Sequence, residues 1–367
     1  MDNIPAPISR RDFSRTLATA AASLAAAPLF AATKPAAPMP RIKLGYDNFA
    51  VRAMGWKAPQ LIDYAARLKT DSLFITDLGP FEKFDDAYLG ELRQQAAGKG
   101  LQIHLGSWSI CPTSRRFKKD WGTAEEHLAL GIRMAKALGS PVFRVILGAG
   151  EDRLTDGGIS ARIADTVKVL KSQRSRALDA GVKIAVENHA GDMHSLELVQ
   201  LIEAAGRDYV GANMDSGNAL WTLEEPLQTL ENLGPYTLTT SLRDSAVWES
   251  ADGVTVQWTA MGEGQVDWKK YFARFAVLCP GVPVHIETIS GFNRELTLRK
   301  EEFWKAWPGG KPKGYDQFLA FAKRGTPRAP WKAPADKDRK LADQEYQCGD
   351  VERSIAFCKK LGLGSAT

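Results

Sequence analysis

The chain has 367 residues, 44% of them hydrophobic and 25% charged, with 48 lysines and arginines against 43 aspartates and glutamates and a formal net charge of +5. That apolar content is enough to core one large domain or two average ones, and it argues against disorder. The charge balance is too mild for a nucleic-acid footprint.

The amino terminus reads "SRRDFSRTLATAAASLAAAPLFAAT". Arg10 and Arg11 precede Phe13 and a weakly hydrophobic Ala- and Leu-rich stretch from Thr16 to Ala32, too short and alanine-rich for a stable membrane span. The pattern fits a bacterial twin-arginine signal peptide over 1–32, with a linker over 33–41, and predicts export to the periplasm. From Arg41 onward short apolar runs alternate with longer amphipathic ones. The runs are "IKLGYDNF" (42–49), "DSLFITDL" (71–78), "LQIHLGSWSI" (101–110), "PVFRVILGAG" (141–150), "VKIAVENHAG" (182–191), "YVGANMDSG" (209–217), "YTLTTSLRD" (236–244) and "VPVHIETIS" (282–290). Apolar residues between them recur at helical spacing, as in Ile159, Ile163, Val167 and Leu170. Thr123 with Glu126 reads as a capping box, and Gly181 stands where a helix needs a left-handed C-terminal residue.

Eight βα units fit an α/β fold of the (β/α)8 TIM-barrel type spanning 42–325. A doubly wound open sheet is the alternative, but no glycine-rich dinucleotide fingerprint follows the first run. Two long connections, 245–281 and 291–314, follow late strands and are expected to cover the catalytic rim of the barrel. The tail, 326–367, opens with a proline- and charge-rich segment and returns to helical period, which predicts an accessory helix packed on the barrel. Of four cysteines, Cys348 with Cys358 is the one plausible disulfide pair, and free buried thiols are the other reading.

Active sites of such barrels lie at the carboxyl ends of the strands. The polar residues there include His104 and Trp108, Glu187 and His189, Asp215 and Asn218, Ser241 and Arg243, and His285 and Glu287. Glu187, Asp215 and Glu287 each close an otherwise apolar run, where an ionised carboxylate is costly unless a cation or hydrogen-bond donors meet it. Alternation along a strand puts Glu187 with His189, Ser241 with Arg243, and His285 with Glu287 on shared sides. Trp108, Trp221, Trp248 and Trp258 fall at or after strand ends, and such a rim suits the C–H face of a sugar.

"VENHAGD", "NMDSGN", "SLRD", "GEGQVDW" and "HIET", in this order and spacing, resemble the xylose-isomerase-like TIM-barrel superfamily of sugar isomerases and epimerases, which also includes inosose dehydratases and endonuclease IV. The resemblance implies a divalent metal held by Glu187, Asp215 and Glu287, with the two glutamates also moving a proton through an enediol. The fourth ligand of the family, a histidine, falls on Ser241, and a second histidine that contacts substrate falls on Asn218. The remaining ligands are oxygen donors, which suit Mn2+, Mg2+ or Ca2+ better than zinc. The competing expectation is a barrel without metal that keeps Glu187 and Glu287 as a bare acid and base pair. The expected substrate contacts are His104, Trp108, His189, Asn218, Arg243 and His285, and His189 or His285 as a replacement ligand is a further possibility. The predicted substrate is a free sugar, a cyclitol or an oxidised glycoside, since no phosphate cradle follows a late strand. Isomerisation, elimination or hydrolysis, and a catalytically silent carbohydrate-binding barrel all remain open on sequence alone. Five histidines are too few for an endonuclease-IV-like trinuclear zinc centre.

Overall fold

The computed structural model describes residues 41–365; the expected export signal and nearly all of its linker lie outside the described residues. Strands β1 (Leu44–Asp47), β2 (Ser72–Ile75), β3 (Gln102–Ser109), β4 (Val142–Ile146), β5 (Lys183–Glu187), β6 (Val210–Asp215), β7 (Thr237–Ser241) and a later strand, Val284–Ile286, form one parallel eight-stranded sheet. The last strand pairs with β1, with Leu44 opposite Val284. Just past β7, Leu242 bridges in parallel to Ile286, with Leu242 N donating to His285 O at 2.8 Å and Glu287 N to Leu242 O at 2.9 Å. These bonds close the ring into a TIM barrel, with every predicted strand in place.

The strands read as apolar runs because both faces are covered. All residues of "SLFI" and "VGANMD" are buried, one face against helices and the other in the barrel interior. Helix Ala124–Leu138 starts at the expected capping box, with Thr123 Oγ1 accepting from Glu126 N and Glu126 Oε2 from Thr123 N. Gly181 ends helix Arg174–Ala180 at φ 66°, the left-handed conformation its position requires.

The two long connections carry structure of their own. Strands β8 (Asp244–Ser250) and β9 (Gly253–Thr259) form an antiparallel hairpin, β10 is the barrel strand Val284–Ile286, and β11 (Asn293–Leu296) pairs with β9. Leu220, Val247, Val254, Val256, Leu296, Phe318 and Phe321 make a second apolar cluster around this small sheet. Helix Arg339–Lys360 bonds to the barrel end through Ala53 N to Gln347 Oε1 at 2.8 Å and Met261 N to Ser354 Oγ at 2.9 Å. Cys348 and Cys358 are both in this helix and all four cysteines are free thiols, so the disulfide expectation fails. Two residues ten positions apart in one helix lie about 15 Å apart along its axis, well beyond disulfide reach. No helix among the described residues is long and apolar enough to cross a membrane.

Candidate active site

The carboxyl ends of the barrel strands, with Arg144 from the middle of β4, converge on a cavity of about 270 Å³. Glu187, Asn218, Arg243 and Glu287 line it beside His189 and Arg144. Its apolar wall is Phe49, Trp108, Trp221, Trp258, Ile289 and Phe292. Trp221 and Trp258 stack with centroids 4.2 Å apart, and Trp258 Nε1 donates to Gly217 O at 3.0 Å, which ties the small sheet to the loop after β6. The long connections therefore do reach the rim.

Each carboxylate is met by specific donors. Glu187 Oε2 accepts from Arg144 Nε and from Asn213 Nδ2, both at 2.6 Å, and Oε1 accepts from Asn218 Nδ2 at 3.2 Å. Asp215 Oδ1 accepts from Gly217 N at 2.7 Å and Asn218 N at 2.8 Å, closing the turn after β6. Its other oxygen meets Arg243 Nη2, and the same nitrogen meets Glu287 Oε2. Ser241 does not reach the cavity; its hydroxyl donates to the buried Asp47 at 3.2 Å and accepts from Asn213 at 3.2 Å.

These partners split the carboxyls electrostatically. Burial is the largest single influence on Glu187 and pushes it up, but the charge and hydrogen bond of Arg144 together with the charge of Arg243 oppose it, and Glu187 ends below the usual glutamate range. One guanidinium serves both Asp215 and Glu287, so burial pushes both of these up against the pull of Arg243. His189 is pushed down to about 4 by burial and is neutral. Its Nδ1 lies 2.6 Å from Gly148 O and donates to that carbonyl, which leaves Nε2 as an acceptor.

Not every expected residue arrives. His104 and His285 lie deeper in the barrel and do not line the cavity. His285 is 2.9 Å from Ser72 Oγ and 3.3 Å from Thr239 Oγ1, which in turn is 3.1 Å from His104 Nδ1. Both are interior packing residues held by these hydroxyls, which corrects their expected substrate contacts. Trp248 is buried in β8 away from the cavity, and Glu263 pairs with Arg353 at the surface. The "SLRD" aspartate serves the fold instead. Asp244 Oδ2 accepts from Gly262 N and Gly264 N, both at 3.0 Å, and so fixes the Gly-Glu-Gly turn. Phe49 and Asp77 also line the cavity just past the ends of β1 and β2, where the reading of strand ends passes over them, while Arg144 and Phe292 line it from positions that no strand end marks.

A divalent cation held by Glu187, Asp215, Glu287 and the residue at 241 needs oxygens that converge with free lone pairs. Here the two arginines and the amide donors already meet both oxygens of Glu187, both of Asp215 and one of Glu287, and Ser241 is turned to Asp47. No group of three or more His, Cys, Asp or Glu among the described residues is disposed to hold a metal ion. The residues as arranged do not fit the expected oxygen-ligand metal site.

The closed parallel barrel with carboxyls at its mouth places the chain among the TIM-barrel proteins. Within that class, the sequence profile described as "Xylose isomerase-like TIM barrel" matches residues 49–306, and the chain belongs to that family. A 3-oxo-isoapionate decarboxylase of Pectobacterium atrosepticum is 21% identical over 196 residues, which span 53% of this chain and 64% of that relative. The structure of D-psicose 3-epimerase from Clostridium cellulolyticum H10 with D-tagatose superposes with a TM-score of 0.54 at 15% identity, covering 88% of this chain and 100% of the epimerase. The IolI protein with a bound zinc atom superposes at 0.53 and 14% identity, covering 76% of this chain and 97% of that one. At these identities the structural neighbours show the shared fold.

Proposed function

We propose that this protein transfers a proton at a carbon next to a carbonyl of a non-phosphorylated sugar, cyclitol or oxidised glycoside, as an isomerase or epimerase. One observation carries the reading: two carboxyls line one cavity in environments that drive their proton affinities apart. Glu187, held ionised by Arg144, is the base; Glu287, pushed up by burial, is the acid that returns a proton. Trp108, Trp221 and Trp258 offer faces to the C–H side of the ring, while His189 Nε2 and Asn218 accept and donate to hydroxyls. The names of the relatives fit, since 3-epimerisation and decarboxylation of a 3-oxo acid both pass through an enolate. The paired arginines Arg10 and Arg11 ahead of an Ala- and Leu-rich stretch, read as an export signal, support a periplasmic address and, with it, a substrate free of phosphate.

A second reading, elimination of a leaving group from a keto-glycoside, is favoured by an adjoining cavity of about 260 Å³ that shares Asp77 and Trp108 with the first and is lined also by Lys118 and Trp121. It gives room for a group beyond one ring.

The test is incorporation of solvent deuterium into a panel of keto-sugars, keto-cyclitols and 3-keto-glycosides, followed by mass spectrometry. Wild type is expected to label the carbon beside the carbonyl, and Glu187→Gln and Glu287→Gln to lose at least about two orders of magnitude in rate, the usual contribution of a positioned acid or base. Release of the aglycone together with label selects elimination. Binding of the panel without label in any form makes the barrel a carbohydrate-binding protein and ends the enzyme reading.

A further inference from the structure

We propose that the guanidinium of Arg243 replaces the divalent cation at the mouth of this barrel and supplies the positive charge and hydrogen-bond donors for the oxyanion of the reaction. The side chain is 1% exposed and reaches from just past β7 to the carboxylates that end β6 and follow β10. A cation shared by those two oxygens and lying among Glu187, Asp215 and Glu287 would sit where Nη2 now sits.

The surroundings are built for this side chain. Gly217 has no Cβ, and one placed there would come within 2.6 Å of Arg243 Cδ and 2.7 Å of Cγ, so the absence of a side chain at 217 gives the arginine its passage. The Trp258 ring covers the guanidinium carbon at 4.3 Å from its centroid, an arrangement in which a planar cation gains over a point charge. The Ser241 side chain, too short to reach the carboxylates, turns to Asp47 and leaves the centre to the arginine.

Arg243 also has unused capacity. Nε and Nη1 are buried and have no partner, while the residue lines the cavity. Buried donors of a charged group without acceptors are costly, and in this proposal a substrate oxygen becomes the acceptor they turn to when the cavity fills. This step rests on the proton-transfer reading above. As the C–H bond breaks, its proton passes to the Glu187 carboxylate and its electron pair becomes the C=C bond of an enolate, whose oxygen takes the negative charge. Arg243 N–H groups aimed at that oxygen stabilise it in a water-poor site. Return of a proton from Glu287 to carbon restores the carbonyl.

The decisive experiment is a titration of the full-length protein with Mn2+, followed by electron paramagnetic resonance and calorimetry, which read metal binding whatever the substrate. Wild type is expected to show no stoichiometric site at millimolar Mn2+, and Arg243→Ala, which frees Asp215 and Glu287, to gain one ion per chain that Arg243→Ala/Asp215→Asn loses again. One Mn2+ bound per wild-type chain and abolished by Asp215→Asn overturns the proposal, as does a folded Arg243→Ala that binds none. If Arg243→Ala does not fold, the wild-type titration with its Asp215→Asn control decides. In the deuterium assay, chelator leaves the wild-type rate unchanged and Arg243→Lys lowers it about 10²–10³-fold, the usual cost of an oxyanion donor. Failure of the proton-transfer reading would show as absent label and leave the Mn2+ result untouched.

Discussion

Arg144 stands in the middle of β4, a charged residue inside "VFRVI", buried on all sides and paired with Glu187. Its Nη1 also donates to Ser107 O at 2.8 Å, so the guanidinium is fixed at both ends. Arg144→Met would leave the buried Glu187 without its counter-charge. The expected loss of stability is about 3–5 kcal/mol, that of breaking a buried ion pair from one side, measured by urea unfolding. With Arg144 gone, Glu187 loses the largest influence that opposes its burial and its proton affinity rises, so the acid limb of the deuterium-exchange rate moves to higher pH than in wild type. An unmoved limb would mean that Arg144 does not set the protonation of Glu187. The carboxylates themselves are legible because a barrel puts chemistry at strand ends and each of them ends an apolar run. Arg144 is not, since a search of strand ends passes over the middle of β4; its signal is a lone cation in a run otherwise apolar. His104 and His285 show the converse. Alternation along a strand gives the side on which a residue points but not its depth, and His285 lies two residues before Glu287, opposite Gly45 in β1, below the floor of the cavity.

The eight barrel strands can be read because parallel strands covered on both faces leave uninterrupted apolar runs. The hairpin of β8 and β9 carries a signal too, an Asp252-Gly253 dipeptide between apolar segments, although the two-residue turn falls one position earlier, on Ala251 and Asp252, with Gly253 already paired to Ser250. The βα alternation masks it, because eight units already account for the length and the segment between two of them reads as connection. Helix packing is not legible at all, and Gly131 illustrates why. By helix propensity, Gly131→Ala within Ala124–Leu138 should stabilise by about 1 kcal/mol. A Cβ at 131, however, would overlap the Phe143 ring of β4, on which the helix lies. Overpacking of this kind costs about 1–3 kcal/mol, so the expected net effect is destabilising. In a Phe143→Leu background the same change should lose its penalty. A double-mutant cycle by urea unfolding checks this, and additive effects would show that the ring and the helix backbone are not in contact as described.

The stability of the whole chain against pH combines two opposed sets of buried groups. Burial pushes His104 down to about 3 and His127 and His189 down to about 4, so all three are neutral in the folded protein while their ordinary value is 6.5. The unfolded chain therefore binds more protons in the window from about 3–4 to 6.5, and the stability these histidines permit is complete above that window and falls with acidification through it. Burial also pushes Asp47, Asp215 and Glu287 up, and these act in the other direction: the folded protein holds protons that the unfolded chain has released, and stability falls as pH rises through the folded values. The total profile is thus a poor report on any one group, whereas a difference between two proteins isolates it. His104→Leu removes a histidine whose ring contacts Thr239 and stacks edge-on against Phe74, and leaves the carboxyls unchanged. Subtracting the unfolding free energy of His104→Leu from that of wild type should give a line that rises by about 1.4 kcal/mol per pH unit between about pH 3.5 and 6, one proton's worth, and is flat above about pH 7. Urea unfolding of both proteins at half-unit pH steps measures it. A difference that is flat throughout would mean that His104 is protonated as readily in the folded barrel as in water, and hence that the interior beneath the cavity is wet.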